Sequence, residues 1–184
     1  MKIEETKLKG CFVIEPEIFH DERGHFFESF NQKEFEKKIG QKVDFVQDNQ
    51  SFSKKGVLRG IHFQMGKYAQ AKLVRVLSGK VLDVAVDLRK DSKTFGEYIA
   101  VELSAENKKQ MFVPRGFGHG FITLSETSEF AYKCDNFYQK ESERGIIYND
   151  KSIKIDWQLA ESEIIVSQKD NQLPSFDVAI LELN

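Results

Sequence analysis

Lys80-Val81-Leu82-Asp83-Val84-Ala85-Val86-Asp87-Leu88 alternates Leu82, Val84, Val86 and Leu88 with Val81, Asp83, Ala85 and Asp87, and a period of two predicts a half-buried strand. Outward from this stretch, similar short runs occupy residues 73–77, 98–103, 110–113, 121–124 and 130–134. Turn-forming pieces separate them: Ser78-Gly79, Asp91-Ser92, Ala105-Glu106-Asn107, Pro114-Arg115-Gly116 and Ser125-Glu126-Thr127. Strands punctuated by turns every 8 to 12 residues or so predict an all-β antiparallel sandwich, jelly roll or barrel, not a parallel βαβ sheet. Two helices flank the block. Asn31 and Glu34 fit a capping box, Phe35 and Ile39 share a face and Gly40 suits a helix stop, which predicts a surface helix over 32–39. Phe176, Ala179, Ile180 and Leu183 follow i, i+3, i+4, i+7 spacing and predict a terminal helix, although Val178 and Leu181 interrupt its apolar stripe.

The 184 residues are enough to bury a real core, and no repeat, low-complexity tract or Pro/Ser-rich linker divides them, so one domain over 1–184 is expected. With 27 basic and 29 acidic side chains the net charge is −2, and no global field favours nucleic acid or an anionic membrane. An anionic ligand must therefore meet a local cluster of cations. Cys11 and Cys134 are too few for a disulfide framework or a four-cysteine zinc site. The first residues lack the apolar run of a signal peptide and no stretch approaches the ~20 apolar residues of a spanning helix, so a soluble cytoplasmic protein is expected.

The four histidines are His20, His25, His62 and His119, and no H-x-H, H-E-x-x-H or C-x-x-C spacing occurs, so no metal is expected. The hydrolase, P-loop and dinucleotide motifs are missing too, and no cofactor is implied. Gly116-Phe117-Gly118-His119-Gly120 sits between strand patterns and opens no helix, so it does not read as a phosphate cradle. In residues 56–64 His62 stands among apolar neighbours, where an imidazole can be a general base or a hydrogen-bonded core residue. Lys72 shares a face with Val74 and Val76. It can send its amine to water along the strand, or turn it into a cavity to stabilise an oxyanion. Tyr132, flanked by Phe130 and Cys134, reads alone as core. Residues 21–30 combine Arg23, aromatic Phe26 and Glu28, and residues 47–51 add the amides Gln47 and Asn49. A nucleoside diphosphate uses such a mixture, and so does an ordinary solvated loop.

Taken in order, these pieces resemble the dTDP-4-dehydrorhamnose 3,5-epimerase family. The resemblance runs through Arg23-Gly24-His25-Phe26, residues 47–51, 56–64 and 83–89, Pro114 to Phe121, and Tyr132-Lys133-Cys134. It continues through Glu143-Arg144-Gly145-Ile146 and Ser167-Gln168-Lys169-Asp170. It implies a cupin-type jelly roll without metal, acting as a homodimer whose N-terminal segments help complete the neighbouring site. It implies that His62 is the base, Asp170 the carboxylate orienting it, Tyr132 the acid on the opposite sugar face and Lys72 the cation beside the C4 oxygen. By the same resemblance Arg23, Phe26, Glu28, Gln47, Asn49, Arg59, His119, Glu143 and Lys169 contact nucleotide or sugar, and Tyr138 stacks on thymine. The substrate implied is a dTDP-4-keto-6-deoxy sugar, inverted at C3 and C5.

The sequence departs from the family pattern mainly at prolines: Lys93, Lys140, Lys151 and Gln158 stand where proline is common, Gly118 replaces a usual alanine, and Met65-Gly66-Lys67-Tyr68 replaces a more proline-rich loop. The competing readings are an epimerase acting at C3 or C5 only, a non-catalytic sugar-nucleotide-binding cupin, and a metal-dependent cupin oxygenase. A binding module would keep Arg23 and Arg59 without needing the base, carboxylate, acid and lysine together.

Overall fold

A computed structural model describes residues 1–183. Its elements begin with β1 (Lys2–Glu5), β2 (Phe12–Glu15), β3 (Phe19–Asp21), β4 (Gly24–Phe26) and α1 (Gln32–Ile39). The central strands are β5 (Gln47–Lys54), β6 (Val57–Gln64), β7 (Lys72–Ser78), β8 (Lys80–Asp87), β9 (Tyr98–Ser104), β10 (Gln110–Val113), β11 (Phe117–Thr123) and β12 (Thr127–Cys134). The chain ends with β13 (Glu143–Gly145), β14 (Ile165–Val166), α2 (Gln168–Asn171) and α3 (Phe176–Ala179).

Two sheets face each other as a jelly roll. The first has the order β1-β2-β10-β7-β12-β5; the second runs β13-β6-β11-β8-β9, with β14 parallel to β6. β3 and β4 form a separate hairpin. Val74, Val76, Met111 and Phe130 of the first sheet meet Val81, Ala85, Leu103, Phe117 and Phe121 of the second in the interior.

The strand over residues 80–88 is half-buried in sequence terms but buried on both faces in the fold, from Val81 to Asp87. Val81, Asp83, Ala85 and Asp87 belong to the face turned toward the first sheet. Leu82, Val84, Val86 and Leu88 are covered from outside by Ile146, Tyr148, Ile153, Trp157 and Phe176 of the C-terminal segment. On the other side of the molecule α1 covers the first sheet, burying Phe35 against Ile14, Leu73 and Phe112. A buried phenylalanine contributes about 2–3 kcal/mol. The ends of α1 agree with the predicted signals: Asn31 accepts from the Glu34 N–H at 3.2 Å and Gly40 closes the helix at φ 74°.

Two expectations change. The glycine-rich tract is part of β11, which starts at Phe117 rather than near Phe121. Close contact with β6 explains the glycines: a Cβ on Gly118 would lie 2.5 Å from Ile61 Cγ2, and one on Gly120 2.8 Å from the Arg59 carbonyl oxygen. The C-terminal helix is a single turn, α3, followed by a 3-10 turn over Ile180–Glu182, with Phe176 and Ala179 docked as the spacing implies. Among the described residues no helix is long and apolar enough to cross a membrane.

Candidate active site

At one end the two sheets part around a cavity of about 580 Å³. The first sheet supplies Asn49 and Ser51 from β5, Lys72 from β7 and Tyr132 from β12; the second supplies Arg59 and His62 from β6 and His119 from β11. Strand alternation selects the side chains of the first sheet, whereas Arg59 and His62, three apart on β6, reach the same cavity because the β6–β11 register shifts between them. Tyr132 pairs with Asn49 and with Val74, and Lys72 pairs with Cys134, so all five share the inner face. His62 and His119 pair directly across β6 and β11.

His62 Nε2 lies 2.7 Å from Asp170 Oδ1, a contact spanning 108 residues of sequence. Asp170 is 4% exposed, and its second oxygen accepts weakly from the Gly60 N–H at 3.4 Å. Burial opposes its ionisation, but the hydrogen bond and charge of His62, the Gly60 N–H and the charge of Lys169 outweigh it and hold the carboxyl below its ordinary range. Ser167 sets the position by capping α2, its Oγ accepting from the Asp170 N–H at 3.0 Å. Sequence reading missed this cap, although Ser167-x-x-Asp170 is a recognisable start signal. With Nε2 committed to Asp170, Nδ1 is the nitrogen left to exchange a proton.

Across the cavity, the Lys72 ammonium is 5.8 Å from the centroid of the Tyr132 ring. Burial lowers the Lys72 pKa from its ordinary value, while Cys134, Asp83 and Glu143 act in the opposite sense. Burial also pushes the Tyr132 phenol up to about 12, so it carries its proton through the neutral range. A carboxylate-backed imidazole facing a protonated phenol beside an ammonium can remove a proton from one side of a bound carbon acid and supply one from the other.

Five of the other expected ligands form a hydrogen-bonded chain whose two ends, Asn49 and Lys169, line the cavity. Tyr138 Oη donates to Glu143 at 3.0 Å, and Glu143 also pairs with Lys169. Gln47 accepts from the Tyr138 N–H at 3.0 Å and donates to Asn49 at 3.1 Å. Burial works against ionisation of Glu143, but Lys169 and Tyr138 prevail and its pKa is lowered. Arg59 is held by Ser53 Oγ and the Phe52 carbonyl, both at 3.2 Å, with guanidinium edge left for an anion. His119 Nε2 lies 2.9 Å from Asp83 Oδ1. Ser51 also lines the cavity with a buried, unpartnered hydroxyl, a position the sequence did not single out.

Arg23, Phe26 and Glu28 are not part of this constellation. Arg23 sits in the β3–β4 turn and pairs with Asp21 at 2.6 Å, Phe26 is 71% exposed, and Glu28 accepts from Asn31 at 3.2 Å. Among the described residues no three His, Cys, Asp or Glu side chains are arranged to hold a metal ion.

Fold and cavity together define a cupin-type epimerase, with His62 and Tyr132 on different sheets around the cavity. A family model described as dTDP-4-dehydrorhamnose 3,5-epimerase matches residues 5–177, and the chain belongs to that family. It is 55% identical over 170 residues to the dTDP-4-dehydrorhamnose 3,5-epimerase of Shigella flexneri, covering 92% of this chain and 93% of that one. The crystal structure of the Elizabethkingia anophelis enzyme of that name superposes with a TM-score of 0.94 at 57% identity, covering 97% of both chains. The Legionella pneumophila 3,5-epimerase, solved in complex with dTDP-4-keto-L-rhamnose, superposes with a TM-score of 0.92 at 48% identity, covering 96% of this chain and 93% of that one.

Proposed function

We propose that this chain converts dTDP-4-dehydro-6-deoxy-D-glucose to dTDP-4-dehydro-L-rhamnose by inverting C3 and C5, in the cytoplasm, on the route to dTDP-L-rhamnose. The observation that carries the reading is the placement of His62–Asp170 and of Tyr132 with Lys72 on different sheets around one cavity. The C4 ketone makes the hydrogens on C3 and C5 acidic, because the electron pair left by deprotonation moves into the C3–C4 or C4–C5 bond and onto O4 as an enolate. His62 Nδ1 takes the proton and Asp170 stabilises the imidazolium. Lys72 offsets the charge on O4. Tyr132 then delivers a proton to the opposite face of the same carbon, which inverts it. No electrons leave the substrate, so the reaction needs no redox partner.

Arg59 and Lys169 supply the local cations that the near-neutral chain needs for a diphosphate, and Tyr138 offers a ring to the base. Arg23, Phe26 and Glu28 come from the second subunit of a homodimer, and for that reason lie away from their own cavity. Proton NMR of the substrate with enzyme in D2O tests the reading. Deuterium should enter at both C3 and C5 as the L-configured product forms; exchange confined to one carbon would make this a mono-epimerase, and no exchange would leave a binding module.

A further inference from the structure

Asp83 is a buried acid that the mechanism above leaves unused. It stands on β8 in the middle of the second sheet, fully buried, and its Oδ1 meets His119 Nε2 at 2.9 Å. Its Oδ2 is also buried and has no hydrogen-bond partner. An isolated buried carboxylate is costly unless it is protonated or faces a cation. The groups acting on it are His119 from β11 and Lys72 from β7, while burial pushes the Cys11 thiol up to about 12, so it carries no charge at neutral pH.

Lys72 has the complementary need. Tyr132 and Cys134 of β12 are its neighbours in the first sheet, and the charges of Asp83 on β8 and Glu143 on β13 act on it. Burial keeps the Tyr132 phenol and the Cys134 thiol protonated, at about 12 and about 11, so neither is an anion at neutral pH. Glu143 is already bonded to Lys169 and Tyr138 at the rim. Asp83 is the carboxylate left inside.

We propose that Asp83, fixed by His119, is a positioning residue for the reaction: its buried carboxylate is the counter-ion that keeps Lys72 an ammonium in the empty and the occupied cavity. Burial drives both groups toward their neutral forms, and each charge resists the other's loss. With Asp83 ionised, His119 donates to it through Nε2–H. The inference rests on the oxyanion role given to Lys72, so its test reads the lysine separately from turnover.

The test uses Asp83→Asn, which keeps the shape and removes the charge. Carbamylation of Lys72 by cyanate, followed by peptide mass spectrometry across pH, reports the neutral amine directly. In the variant the Lys72 profile should move down by about one pH unit or more, because an opposite charge has been lost. The alkaline limb of kcat should follow it, and kcat at neutral pH should fall about tenfold or more with KM little changed. An unmoved carbamylation profile overturns the proposal. A moved profile with unaltered kcat supports the counter-ion while removing Lys72 from the chemistry. If Asp83→Asn does not fold, Lys72→Met/Asp83→Asn, which deletes both charges, should; failure of that double variant as well would make Asp83 structural and overturn the proposal.

Discussion

Replacing Tyr132 with phenylalanine deletes a hydroxyl and leaves the ring packed beside Phe130, so it separates proton removal from inversion. His62, Asp170 and Lys72 stay in place and the enolate still forms. The available donor is then the imidazolium just made, which returns a proton to the face it came from. If that proton exchanges with solvent first, Tyr132→Phe in D2O should incorporate deuterium at C5 while forming L-configured product about 100-fold more slowly than wild type. Inversion near the wild-type rate would hand the acid role to another group. These residues were only partly legible in the sequence. Taken alone, Lys72 beside Val74 and Val76 reads equally as a solvated strand lysine, because alternation tells which residues share a face but not what that face meets. The order of several family-like fragments decided it. Asp83 had no such signal of its own: an aspartate in an apolar strand looks like an outward-facing residue until the C-terminal segment is seen to cover the other side.

At the scale of elements, strands with one apolar set were readable and strands with polar residues on both faces were not. β5 was read only as a source of amides, since its half-buried Asn49 and Ser51 line the cavity while Asp48 and Gln50 beside them are exposed polar residues. The β6–β11 contact was equally hidden, because the need for glycine at Gly60 comes from Gly120, whose Cα would lie 2.5 Å from a Cβ there. The end of β8 makes a separate prediction. Asp87 is buried, which disfavours its charge, yet Arg89, Ser92 and Thr94 donate to it and hold it at about 2, below the ordinary 3.8. A carboxyl with a depressed folded pKa stabilises the fold above its unfolded value, and that contribution is lost as pH falls through the folded one. Asp87→Asn should therefore cost about 2 kcal/mol at neutral pH. In urea titrations the gap from wild type should narrow as pH falls from 3.8 toward 2. A gap that does not change with pH would assign the loss to packing instead.

The whole molecule leaves apolar surface exposed on the β3–β4 hairpin and along the edge strand β5. Every residue of β3 and β4 is exposed, Phe19 and Phe26 are 57% and 71% exposed, and Phe52 projects from the edge strand β5 at 57%. An open edge and bare aromatic rings are liabilities for a free monomer. The hairpin also carries Arg23, with Glu28 just beyond, the expected ligands that do not reach their own cavity. If the hairpin serves the neighbouring subunit, two inactive variants should repair each other. Arg23→Ala/Glu28→Ala has an intact His62 but a defective hairpin; His62→Asn has the reverse. In a heterodimer made with two affinity tags, the double variant's cavity receives the hairpin of the His62→Asn chain and is complete, while the other cavity carries both defects. Exchange in trans therefore predicts about half of wild-type turnover per heterodimer at low substrate concentration, from parents that are each nearly inactive. Hairpins acting in cis would leave both cavities of the heterodimer damaged, and turnover would remain at the mean of the two parents.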